Sequence, residues 1–210
     1  MDDKEAFLTG EFLRQLIHIL TGIVFILIIN FSGDNAALVF FVILLALTLF
    51  SILVTGLDDT EKSPRLVRKL ERSKKQKIKF QGTILLLSGV FVTLILFPVE
   101  IVYASVAIVT FGDSIATIVG TSIGRHKLPY SDKKSLEGTF SGLIVAFLIA
   151  MLFVTPFQAF IGSLGGMFME SAISMRTIKR ANIMSVIRFF INDNFLIPIF
   201  SSALMFYAVI

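Results

Sequence analysis

Three carboxylates in apolar company offer the first chemical handle: Asp113 in "FGDSIATIVG", Glu170 in "GGMFMESAI" and Asp193 in "INDNFLIPIF". An ionised group in hydrocarbon costs about 2.5 kcal/mol or more, so it turns toward a bundle interior, a water-filled cavity or a partner. Three carboxylates at similar depth repel one another unless a cation joins them. Oxygen donors of this kind suit Mg²⁺, which takes one or two carboxylates and completes its shell with water and phosphate oxygens. Asp113 is the first candidate metal ligand, with Glu170 and Asp193 as further ligands or as a base. Asp113 shares a helical face with Ala116 or Thr117 and with Gly120, as Gly112 does with Ala116, and such a stripe of small residues suits close helix packing. The aspartate is therefore expected to point inward. The blander alternative is a buried carboxylate satisfied by a neighbouring Ser, Thr or Gln.

The segment after Asp113, "GTSIGRHKLPYSDKKSLEGT" from Gly120 to Thr139, supplies the opposite charge through Arg125, Lys127, Lys133 and Lys134. Lysines, arginines and backbone N–H groups at a helix start make an anion site. Ser135 fits an N-cap, and Gly138 permits close approach of a ligand or another backbone. The segment lacks the spacing of a Walker A loop, and no strand precedes it. Alone it marks topology; beside a carboxylate cluster it is a candidate polyphosphate site. Arg14 and His18, four residues apart on one helical face, could meet phosphate together, although a lone histidine near a helix start more often serves packing or hydrogen bonding.

These residues must be positioned by helices in a membrane. Of 210 residues, 55% are hydrophobic and only 16% charged, far below the charge content of soluble domains. Seven apolar segments approach spanning length: Leu16–Ile29, Ala36–Val54, Phe80–Phe97, Ile101–Gly120, Thr139–Val154, Phe157–Ile173 and Phe195–Ile210. The expectation is one all-α integral membrane domain over residues 1–210. Its acidic "MDDKEAF" start lacks a signal peptide's basic region, so the first span is expected to be retained. Of 19 Lys and Arg, nine fall in Lys62–Lys79, four in Arg125–Lys134 and four in Arg176–Arg188, while the intervening connections carry none. Seven spans thread this pattern, with the N-terminus and the basic loops near 56–79, 121–138 and 174–192 in the cytoplasm. The first loop reads as a solvated topology determinant or an amphipathic interfacial helix, and the third as interfacial or loop. Basic charge confined to these loops argues against nucleic acid as partner, and the absence of cysteine excludes disulfides.

The segment "FGDSIATIVGTSIGRHKLPYSDKKSLEGTFSG", with "RQLIHILTG" before it and Glu170 and "DNFLIPIFS" after it, resembles the polytopic lipid-alcohol kinases: dolichol kinase, phytol kinase and the CTP-dependent diacylglycerol kinase. These are related to the phosphatidate cytidylyltransferases. The resemblance implies transfer of the γ-phosphoryl group, usually from CTP, to the hydroxyl of a membrane lipid alcohol at the cytoplasmic face. The choice of CTP over ATP rests on it alone. Carried onto matching positions, it implies Mg²⁺ at Asp113 and a nucleotide site that includes Lys133, Lys134 and Glu137, with Arg14, His18, Glu170, Asp193 and Asn194 completing it. Two departures stand out: a longer connection before the Asp193–Asn194 pair, and Asn192 where a second acid often stands.

Two rival activities share some of these features. A CDP-lipid synthase would use the same nucleotide and metal at the α-phosphorus, but its denser Asp- and Lys-rich signature is absent here. A small-solute transporter would place polar groups near midplane on broken helices, whereas these cluster toward one side. Oligomeric state is not encoded in any of these patterns.

Overall fold

The computed structural model describes residues 3–57, 80–131, 133–173 and 190–208. The basic stretches Lys62–Lys79 and Arg176–Arg188 therefore lie outside the described residues. Among those described, the chain is helical, and its one β-type contact is an isolated antiparallel bridge between Lys127 and Ser135.

Helix α1 (Asp3–Ser32) turns through a single 3₁₀ turn (Gly33–Asn35), where Gly33 takes φ +51°, into α2 (Ala36–Leu57). Helix α3 (Gln81–Leu96) ends where Phe97 becomes extended ahead of Pro98, as the residue before a proline prefers. Pro98 then leads into α4 (Val99–Ala107), a π-turn (Ile108–Gly112) and α5 (Asp113–Ser122), which run on as one segment. Helix α6 (Leu136–Ala150) starts at Ser135, whose hydroxyl accepts from the Gly138 N–H at 3.2 Å, so the N-cap read from the sequence is present. Helix α7 (Pro156–Ile173) opens with a capping box: Gln158 accepts from the Thr155 N–H, and Thr155 Oγ1 accepts from the Gln158 N–H. Helix α8 (Asp193–Tyr207) is capped by Asn192 and contains Pro198, which removes one internal hydrogen bond.

Among the described residues, the helical segments overlap the apolar segments of the sequence. By length and composition Leu8–Thr55 and Val99–Ser122 are apolar enough to cross a membrane, and α3 and α6 are shorter apolar helices. The two long segments are used differently. Only 11% of the apolar window in Leu8–Thr55 is buried, against 72% in Val99–Ser122, so the latter is the central post and α1–α2 the periphery. Val102, Val106, Ala107, Ile108 and Val109 are fully enclosed, with Phe40, Leu86, Val90 and Met205 around them. Helix α8 packs between α3 and α7, α6 lies against α5 and α7, α1 lies against α5, and α2 against α3.

The small-residue stripe does what its composition predicts. Gly112, Ala116 and Gly120 of the central segment face Gly142 and Gly138 of α6, where a Cβ on Gly138 would come within 2.5 Å of the Ala116 carbonyl oxygen. The two helices touch backbone to backbone there, so any side chain at 138 or 142 would push α6 from Asp113's own helix.

Candidate active site

Asp113 owes its position to the π-turn. Adding a residue to the turn at Ile108–Gly112 shifts the register of the central segment, a device found often at functional sites. Thr110 in that turn returns its hydroxyl to the Val106 carbonyl at 2.7 Å and packs against Gly22 of α1. The aspartate then opens α5 facing the bundle, only 8% exposed, so the inward orientation expected from the stripe is found.

Glu170 comes from the last turn but one of α7 and is 1% exposed. Between the two carboxylates stands Lys134. Its Nζ lies 3.6 Å from Asp113 Oδ1 and forms a hydrogen-bonded ion pair with Glu170 Oε1. Burial disfavours the Lys134 charge, but Asp113, Glu170 and Asp193 together outweigh it and hold the ammonium's pKa above the ordinary lysine value. Asp193, at the start of α8, thus lies within Coulombic reach of the same centre. Carboxylates from two separate helices, Asp113 and Glu170, thus meet one lysine.

The Lys134 loop is itself firmly tied. Leu128 N–H donates to the Lys134 carbonyl at 3.0 Å and Leu136 N–H to the His126 carbonyl at 2.9 Å, around the Lys127–Ser135 bridge. The buried Ser131 hydroxyl accepts from the Lys133 and Lys134 amides. Tyr130 donates its hydroxyl hydrogen to Ser171 Oγ at 3.1 Å, fastening the loop to α7 one residue beyond Glu170. Tyr130, which belongs to no motif of the sequence, is thus the residue that ties the loop to α7. A tyrosine in a basic loop was its only signal.

The remaining candidates divide. Arg125, Lys127 and Lys133 are exposed on the loop surface, where they can reach phosphate from solution. Glu137 faces the loop instead: it accepts from the His126 N–H at 3.2 Å and lies 2.6 Å from His126 Nδ1. Its own backbone amide and then the His126 side chain hold its carboxyl down to about 2. Asn194 donates its side-chain amide to the Gly82 carbonyl at 3.1 Å, joining α8 to α3. Arg14 pairs with Glu11 one turn earlier on α1, which also accepts from Gln15.

Buried polar atoms without a hydrogen-bond partner concentrate here. Among the described residues, His18 Nε2, Asp113 Oδ1, Ser114 Oγ, Thr139 Oγ1 and Glu170 Oε2 lie at this end of the bundle, with only Ser163 and Ser202 elsewhere. Each such atom forgoes about 1–3 kcal/mol of solvation, so their clustering marks a place built for a polar guest. No described group of three or more His, Cys, Asp or Glu side chains forms a closed metal cage. Mg²⁺ does not require one: two carboxylates, each with a buried oxygen that accepts no hydrogen bond, are the usual protein share of a site completed by substrate phosphates. The donor set fits that metal.

Comparison with known proteins gives sequence relatives but no structural one. The chain is 25% identical over 179 residues to phytol kinase 1, chloroplastic, of Arabidopsis thaliana, covering 83% of this chain and 57% of that protein. It is 30% identical over 151 residues to probable phytol kinase 1, chloroplastic, of Oryza sativa subsp. japonica, covering 69% and 47%. It is 26% identical over 175 residues to farnesol kinase, chloroplastic, of Arabidopsis thaliana, covering 80% and 56%. The chain spans about half the length of the curated relatives it matches. No family model and no solved structure matches.

Proposed function

These relatives support membership of the lipid-alcohol kinase family, and on that footing we propose that the chain transfers the γ-phosphoryl group of a nucleoside triphosphate, CTP, to the hydroxyl of a prenol-type lipid alcohol. The observation that carries this reading is the meeting of Asp113 from α5, Glu170 from α7 and Lys134 from the intervening loop at one buried point. The proposal includes seven membrane crossings, with the N-terminus and the site end of the bundle on the cytoplasmic side. The charge distribution supports that arrangement, because every basic loop then falls on the inner face.

Phosphoryl transfer asks a protein mainly for positioning and charge neutralisation. Asp113 and Glu170 would hold Mg²⁺, which would neutralise the charge of the phosphate groups. Lys133, Arg125 and Lys127, exposed along the loop, draw the polyphosphate to the site from solution. Asp193, at the mouth of α8, accepts the acceptor hydroxyl's proton on its carboxylate, and its less enclosed position suits a group that must meet a headgroup. The lipid tail stays among the helices, so only its hydroxyl has to reach the loop.

Incubation of purified protein with labelled CTP, Mg²⁺ and a panel of phytol, farnesol, geranylgeraniol and diacylglycerol tests the reading. Lipid monophosphate with CDP is expected. A CDP-lipid with pyrophosphate would establish the cytidylyltransferase reaction instead, and absence of nucleotide turnover with every acceptor would overturn the kinase reading.

A further inference from the structure

Lys134 holds Glu170 Oε1 and lies 3.6 Å from Asp113 Oδ1, so its ammonium stands between the two carboxylates, where an ion joining them would sit. A magnesium ion sits about 2.0–2.1 Å from its ligand oxygens, so an ammonium group between the two carboxylates competes with it for that place. The lysine side chain is 20% exposed, and its backbone is fixed by Ser131, Leu128 and the Ser135 bridge. Four rotatable carbons lie between that fixed backbone and the charge. The head can therefore move while the loop stays.

Resting on the kinase reading, we infer that Lys134 is an exchangeable counter-ion: it occupies the Asp113–Glu170 pair in the nucleotide-free protein and yields it to the metal when a polyphosphate draws the ammonium away. Two consequences follow from the geometry. Metal alone must displace a buried charge partner and binds weakly. Metal with polyphosphate does not, because the ammonium gains phosphate oxygens in exchange for carboxylate ones. The two ligands are thereby coupled, and the carboxylates never face each other without a cation between them. A purely structural ion pair would behave in the opposite way, since removing one partner of a buried pair leaves an uncompensated charge and loosens the site.

The test uses Mn²⁺ as the probe, with free Mn²⁺ read by electron paramagnetic resonance in the absence of nucleotide. Lys134→Met is expected to bind Mn²⁺ about tenfold more tightly than the unsubstituted protein, in the range of ordinary site-to-site coupling. Lys134→Arg, which keeps the cation, is expected to leave it weak. Equal or weaker Mn²⁺ binding by Lys134→Met overturns the inference. Should that variant fail to fold, amine acetylation of the unsubstituted protein decides the matter. Lys134 is expected to react slowly and to speed up on adding Mn²⁺, with Lys133 unaffected, whereas an unchanged Lys134 rate at Mn²⁺ concentrations that fill the site overturns it. The kinase reading is judged separately: normal CTP turnover with unaltered Mn²⁺ affinity in Lys134→Met defeats the counter-ion role alone.

Discussion

At one end of the bundle Asp113, Lys134 and Glu170 meet among glycines and unpartnered hydroxyls, while at the other end the helices close on aromatic pairs. There Phe97 lies 5.8 Å from Phe206, Tyr103 stacks on Phe153 at 5.5 Å, and Gln158 donates to the Met205 carbonyl at 3.3 Å. The polar atoms of the far end mostly answer one another locally: Thr155 and Gln158 cap α7, and Thr93 bonds its own helix. At the site end Asp113 Oδ1, Ser114 Oγ, Thr139 Oγ1 and Glu170 Oε2 have no such partner. The contrast separates packing from poise, because a group that is buried, charged and incompletely satisfied contributes little to holding helices together and is retained for what it binds.

Substitutions should divide along the same line. The largest effect is expected for Asp113→Asn and Glu170→Gln: nearly the same shape with the charge removed should cost about 10²–10³ in lipid-phosphate formation, the scale of a lost electrostatic contact at a reacting centre. The folded fraction by size-exclusion chromatography should stay unchanged. A parallel loss of folded protein would move these carboxylates to the structural side of the comparison. Gly138→Val comes next. Its side chain would meet the Ala116 carbonyl and Gly120, so thermal unfolding in detergent should report destabilisation of about 1–3 kcal/mol from overpacking, with activity falling as α6 moves from α5.

At the far end, Phe206→Leu should lose about 1 kcal/mol of stability through the ring contacts with Phe97 and Tyr207 that it breaks, while leaving turnover per folded molecule intact. A change in turnover there would erase the distinction between the two ends. Tyr130→Phe deletes only the hydroxyl that reaches Ser171 and should cost about 0.5–1.5 kcal/mol. A raised KM for nucleotide with kcat preserved would show that the loop, not the metal ligands, has loosened. The smallest effect concerns pH. Glu137 has its carboxyl lowered to about 2 in the folded chain, so its contribution is complete above the ordinary glutamate value near 4.5 and fades as pH falls toward 2. Unfolding midpoints of Glu137→Gln should therefore lack that part of the acid dependence, and both proteins should respond alike to pH above about 5.

Much of this was legible without coordinates because the responsible physics is local or periodic. The stripe Gly112–Ala116–Gly120 announces a close helix crossing by spacing alone, Ser135 announces a helix start by its own hydroxyl, and Pro98 and Pro156 stand at helix boundaries because neither can donate within a helix interior. Charge alternation between loops likewise needs only counting. The π-turn before Asp113 was not legible, since a single added residue in a turn leaves no mark on apolar periodicity. Nor were the partners of Glu137 and Asn194. Resemblance places both in the nucleotide site, yet their side chains meet His126 and Gly82, and a residue's type does not say which of two nearby polar groups it will reach.

The sequence by itself determined that the chain is helical and apolar, that its basic charge lies in alternate connections, and that three carboxylates stand where hydrocarbon would penalise them. Each of these follows from residue type and interval along one chain. Only the tertiary structure decided that Lys134, rather than any of its three basic neighbours in the loop, stands between Asp113 and Glu170, and that Tyr130 fixes the loop beside them. Such choices depend on distances between elements far apart in the chain, set by how closely Gly138 lets α6 approach α5 and by where α7 ends relative to both.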